Sequence, residues 1–166
     1  MFPIRSEARV AARFGLISVM GLSLAGCLPG EAAPVPALAI RADGGVLTVL
    51  LPPMCPDWRV ESAEVSPMSD VSFPPPAWTG EGFVGESQTV VTLDQHAWTR
   101  VSGSYDQLTS FSAAVETTGV TFSVDVPDLT TITGLPEGKF ANGPDRLTTV
   151  AEYETSTAET LDCDHS

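Results

Sequence analysis

Phe111-Ser-Ala-Ala-Val-Glu-Thr-Thr-Gly-Val-Thr-Phe-Ser-Val-Asp-Val126 is the stretch that decides the fold. Phe111, Ala113 and Val115 alternate with Ser112, Ala114 and Glu116. After Thr117-Thr118-Gly119, Val120, Phe122, Val124 and Val126 alternate with Thr121, Ser123 and Asp125. Successive side chains of a strand point to opposite faces, so a period of two gives each half one face to bury and one to wet. The short glycine-containing link joins the halves as a hairpin.

Working outward, Ala37–Arg41 and Val46–Leu51 flank Asp43-Gly44-Gly45, a sequence suited to a tight turn. Val46–Leu51 is apolar at nearly every position, as in a central strand. Arg59–Ser66, Gln88–Leu93 and Ala97–Val101 also read as strands, the last two separated by Asp94-Gln95-His96. The pattern predicts a mainly β domain, an antiparallel sandwich of about seven strands. The C-terminal stretch changes character. Thr149-Val-Ala-Glu152 fits a capping box, and Val150, Tyr153, Thr157 or Ala158, and Leu161 recur at helical spacing. This predicts a helix over 150–161, against the competing reading of a last strand over Leu147–Thr155.

The first 26 residues have a different logic. Arg5, Arg9 and Arg13 precede an apolar run, Phe14 to Leu24, that ends in small residues. A basic start, an apolar stretch of about 7–15 residues and a small-residue exit describe an export signal. A membrane span needs roughly 20 apolar residues. Leu24-Ala25-Gly26-Cys27 resembles a bacterial lipobox, the signal of lipoprotein precursors. The resemblance implies cleavage behind Gly26, a thioether-linked diacylglycerol on Cys27, and attachment to the membrane on its extracytoplasmic face. Two acyl chains anchor stably where one alone is marginal. Leu28 to Pro36 carries three prolines and reads as a tether, spanning roughly 28 Å if extended. The expected organisation is a signal over 1–26, a lipidated tether over 27–36 and one domain over 37–166.

The chain has three cysteines. If Cys27 carries lipid, Cys55 and Cys163 remain as a pair, and a disulfide would persist outside the cytoplasm. The domain also resembles small fibronectin-III-like or immunoglobulin-like lipoproteins of high-GC Gram-positive bacteria. The likeness rests on Leu47-Thr-Val-Leu-Leu-Pro-Pro-Met-Cys55-Pro, the Trp98 segment, Leu108-x-x-Phe111, Val126-Pro-Asp128-Leu129 and Glu152-Tyr153 with Cys163. It implies a fold and an address, with no activity. Fibronectin-type domains usually carry a tyrosine near the position of Phe111, whose ring has no hydroxyl.

Charge narrows the partners. The leader takes three of the eight basic residues and one of the 21 acidic ones, leaving five against 20, a net charge of −15. So acidic a surface argues against nucleic acid and against a basic grip on anionic lipid. Catalytic apparatus is not visible. His96 lies near Asp94, with Ser87 or Ser104 as conceivable nucleophiles, but neither G-x-S-x-G nor HExxH occurs. Asp125 with Asp128, and Asp162 with Asp164 and His165, read as surface charge, and no cofactor or metal is expected. Pro67 to Glu86 reads instead as a long loop of the kind that carries function. Its Phe73, Trp78 and Phe83 are candidates to stack on a glycan or an envelope protein, against the favoured reading in which they fold back to plug an end of the sandwich, with the proline-rich segment along an edge. Trp58 and Trp98 read as core. The leading expectation is a non-catalytic binding or adaptor module. The alternative is an envelope structural or assembly-accessory protein, with a His96 hydrolase as a third reading.

Overall fold

The structure, a computed structural model, describes residues 36–69, 74–143, 145–159, 161 and 163. The export segment, Cys27, Phe73, Asp162, Asp164 and His165 lie outside the described residues. In chain order the described residues form β1 (Ala39–Asp43), β2 (Val46–Leu50), β3 (Val60–Pro67), β4 (Trp78–Phe83) and β5 (Val90–Leu93). There follow β6 (Trp98–Gly103), β7 (Phe111–Thr117), β8 (Thr121–Val126), a 3-10 turn (Leu129–Thr131), β9 (Phe140–Ala141), β10 (Leu147–Thr148) and α1 (Val150–Thr157). All seven expected strands are present. Three more, β4, β9 and β10, raise the number to ten.

The strands make two five-stranded antiparallel sheets, ordered β10-β9-β1-β2-β5 and β6-β4-β3-β7-β8. In the second, β7 and β8 pair from Phe111 opposite Val126 to Glu116 opposite Thr121, the hairpin that their alternation demands. Phe111, Ala113, Val115 and Phe122 are buried between the sheets against Ile40, Leu47, Val49 and Val91. The polar partners in the alternation cover the opposite face.

The first sheet also carries an apolar patch on its outer face, where the helix covers it. Ala39, Leu50 and Phe140 pack on its outer side around Tyr153 of α1. The Tyr153 hydroxyl donates to the Ala37 carbonyl at 2.9 Å, fastening the helix to the start of β1. An eight-residue helix is too short to persist in isolation. This one is held by that burial and by its cap: Thr149 Oγ1 accepts from the Glu152 amide, and the Glu152 carboxylate accepts from the Thr149 amide. The helical reading of the C-terminal stretch is therefore right at its start and too long at its end. The helix stops at Thr157, after which the chain turns and Cys163 bonds to Cys55, with Cα atoms 5.5 Å apart.

A row of aromatic rings closes one side of the sandwich. Trp78 and Trp98 meet edge to face with centroids 6.0 Å apart, and Phe83 leans on Trp98 at 5.0 Å. Gly80 lies between the indoles, where a Cβ would come within 2.7 Å of Trp98 and 2.8 Å of Trp78. The Trp98 Nε1 donates to the Thr92 carbonyl at 2.9 Å, tying β6 to the outer strand of the other sheet. Exposed sheet margins invite pairing with other chains. Here, besides the Trp98 bond to Thr92, the Val90 amide of β5 donates to Ser87 Oγ at 3.1 Å, and Ser123 of β8 accepts from the Leu38 amide at 3.4 Å.

Candidate functional site

Three loops meet at one end of the sandwich. The β1–β2 link turns on Gly44 (φ 58°) and Gly45 (φ 86°), consecutive left-handed positions that glycine adopts without steric cost. The 3-10 turn is capped by Asp128, whose Oδ1 accepts from the Thr130 amide at 2.9 Å. That bond holds the Asp128 carboxyl below the usual aspartate range. Its far end is pinned to β1, because the Ala42 amide donates to the Ile132 carbonyl at 2.9 Å.

The third loop is organised by Tyr105. Its hydroxyl donates to the Leu93 carbonyl and accepts from the Leu47 amide at 3.4 Å, so it bridges the last pair of the β2–β5 ladder. Its ring meets Trp78 edge-on at 5.8 Å. Burial raises the phenol above its ordinary range, and the nearby Asp106 and Asp94 carboxylates push the same way. Tyr105 thus supplies the anchoring hydroxyl that Phe111 lacks, from six positions earlier in the chain.

Between these loops lies a cleft of about 530 Å³. Its floor is apolar, made by Leu47, Leu108, Phe111 and Leu129, while Asp43 and Asp106 stand among its lining residues. A second hollow, of about 390 Å³, shares Gly44, Gly45, Tyr105 and Asp106 with the first and adds Asp94. Asp43 is paired with Arg41, which holds its carboxyl below the usual range. The Arg41 guanidinium is also engaged by the Lys139 carbonyl and stacks over Phe140, away from the cleft.

The structure decides between the two readings of Pro67 to Glu86: the stacking site is corrected, and Trp78 and Phe83 fold back onto the sandwich. Trp78 is only 4% exposed and begins β4, so its indole is core and unavailable for stacking on a ligand. Phe83 is half-buried at the end of the same strand, its ring folded between Trp98 and Gly85. Phe73 lies outside the described residues. Trp98 is core as expected. Trp58 is only half-buried, its indole laid over Gly119, where a Cβ would approach within 2.0 Å.

No family model matches this chain, and neither a curated protein nor a solved structure matches it. The site is therefore read from its own geometry. Asp94 and His96 occupy one turn, but Asp94 Oδ1 accepts from the His96 and Ala97 amides, and the His96 ring faces the Gln95 amide. Ser87 Oγ is bonded within its own turn to Thr89 and Val90, and Ser104 Oγ accepts from the Asp106 amide. The structure does not bring these hydroxyls into contact with His96. Among the described residues, no group of three or more His, Cys, Asp or Glu side chains comes together to hold a metal ion. No described helix is long and apolar enough to cross a membrane. What the sequence reading missed is the cleft itself. Its lining comes from segments around residues 42–47, 105–111 and 129–134, none of which carries a ligand-binding motif.

Proposed function

We propose that the chain is a membrane-anchored extracytoplasmic lipoprotein whose domain acts as a non-catalytic binding or adaptor module. The observation that carries this reading is the Cys55–Cys163 disulfide. It uses two of the three cysteines and leaves Cys27 unmatched, behind Leu24-Ala25-Gly26 and an export-type leader. A disulfide between strand-connecting and terminal segments suits an oxidising compartment.

Metabolic labelling with an alkyne fatty acid, followed by intact-mass analysis, tests the anchor. The wild-type chain is expected to begin at Cys27, to carry acyl groups and to sediment with membranes, whereas Cys27→Ser stays unlabelled. A labelled Cys27→Ser chain, or a wild-type chain that retains residues 1–26 without lipid, overturns the reading.

A further inference from the structure

We propose that the cleft between the 43–46 turn, the 104–110 loop and the 129–134 segment binds a small organic cation, an ammonium group carried on an apolar body. The inference rests on the reading of the domain as a binding module and does not depend on the lipid.

Size and floor argue for the apolar body. A cleft of about 530 Å³ lies in the range of small-molecule sites, roughly 300–1,000 Å³, which are mostly apolar with a few convergent polar groups. Leu47, Leu108, Phe111 and Leu129 offer that surface at a place where the sandwich would otherwise be capped by its own side chains. The space is kept open by structure. Gly44, Gly45 and Gly134 are all at positive φ, and no atom stands within 4 Å of where a Cβ would project from any of them. The walls hold their shape because Tyr105 is locked to two backbone groups and the 129–134 segment is bonded to β1.

Charge argues for the cation. Asp106 lines both hollows, and its backbone amide, not its carboxylate, makes the local hydrogen bond to Ser104. Asp94 lines the second hollow, with its Oδ1 held by the His96 and Ala97 amides, and no lysine or arginine lines either hollow. The one base beside the lining, Arg41, is already taken up by Asp43, so an anion would meet the Asp106 carboxylate, whereas an ammonium placed at the rim pairs with it.

The test is an amide-shift NMR titration of the full chain in detergent micelles at pH 7 and low salt. The probes are phenethylammonium and its neutral analogue 2-phenylethanol. Phenethylammonium is expected to bind about fivefold more tightly, the upper end for an exposed ion pair, with shifts confined to residues 42–47, 105–111 and 129–134. Asp106→Asn, a substitution at an exposed position, should bring the two probes within about twofold of each other. Raising the salt from about 0.1 M to about 1 M should narrow the ratio in the same way, since the screening length falls from about 10 Å to about 3 Å. Equal affinities in the wild-type chain, a preference that survives Asp106→Asn, or absence of shifts at these residues with either probe overturns the inference. The anchor can fail separately: a Cys27→Ser chain that keeps the cation preference supports the cleft assignment, whatever becomes of the lipid.

Discussion

Opening the Cys55–Cys163 bond should remove as much stability as a severe truncation in the core, and it should do so unevenly. The cysteines are 108 residues apart in sequence. In the chain-entropy treatment a loop of that length restricts the unfolded chain by about 4.8 kcal/mol, while measured bridges more often give 2–4 kcal/mol. Against a total of about 5–15 kcal/mol for a domain, this is a large share. Paired substitution, Cys55→Ala with Cys163→Ser, followed by urea unfolding, should lower the midpoint by about 1–3 M, taking a slope of about 1–3 kcal/mol/M. The slope itself should rise, because the unfolded chain without its crosslink exposes more surface. Hydrogen exchange should locate the loss. Amides of α1, an eight-residue helix tied down by Tyr153 and the bridge, should lose protection before those of β7, an interior strand of the second sheet. A midpoint shift worth less than about 1 kcal/mol refutes the entropy argument. Equal loss of protection in α1 and β7 refutes the claim that the helix depends on the bridge.

Two further predictions follow from packing and burial. Gly80→Ala places a methyl within 2.7–2.8 Å of both indoles, and overpacking of this kind should cost about 1–3 kcal/mol by calorimetry; a neutral substitution would show that Trp78 and Trp98 have room to move. Tyr153 is 1% exposed, and burial raises its phenol far above the ordinary value. A raised acid contributes stability that is whole below the unfolded tyrosine value, about 10, and is lost as pH climbs from there towards the folded value. Tyr153→Phe should therefore flatten the alkaline decline measured by denaturation between pH 9 and pH 11, at a cost near neutrality of about 1 kcal/mol for the lost bond to Ala37. An unchanged alkaline profile would refute the assignment.

The hairpin over 111–126 was legible because its alternation is strict and one face is wet. The capping box was legible because Thr149 and Glu152 satisfy each other within one turn, whatever the rest of the chain does. β4 was not, for a reason that the structure supplies. Trp78-Thr-Gly-Glu-Gly-Phe83 has two glycines that lower strand propensity, and Gly80 is there to clear the indoles. A packing demand looked like a loop signal, and the aromatics that read as a sticky surface are the plug of the core. β9 and β10 have two residues each, too few for any period to show. The cleft was hidden because its walls are distant in sequence and its organiser, Tyr105, acts through backbone groups at Leu47 and Leu93.

If the chain is anchored as proposed, the margins of the two sheets bear on how it meets its neighbours, since molecules fixed to a plane collide side by side at concentrations far above those of free solution. With Ser87 and Trp98 occupying backbone groups of β5, and Leu38 one of β8, neighbours on those flanks find fewer vacant hydrogen-bonding sites to zip onto. Of the remaining margins β10 has only two residues, so β6 is the flank where lateral fibre growth would begin. Its Arg100, paired with Glu81, puts a charged gatekeeper in that strand.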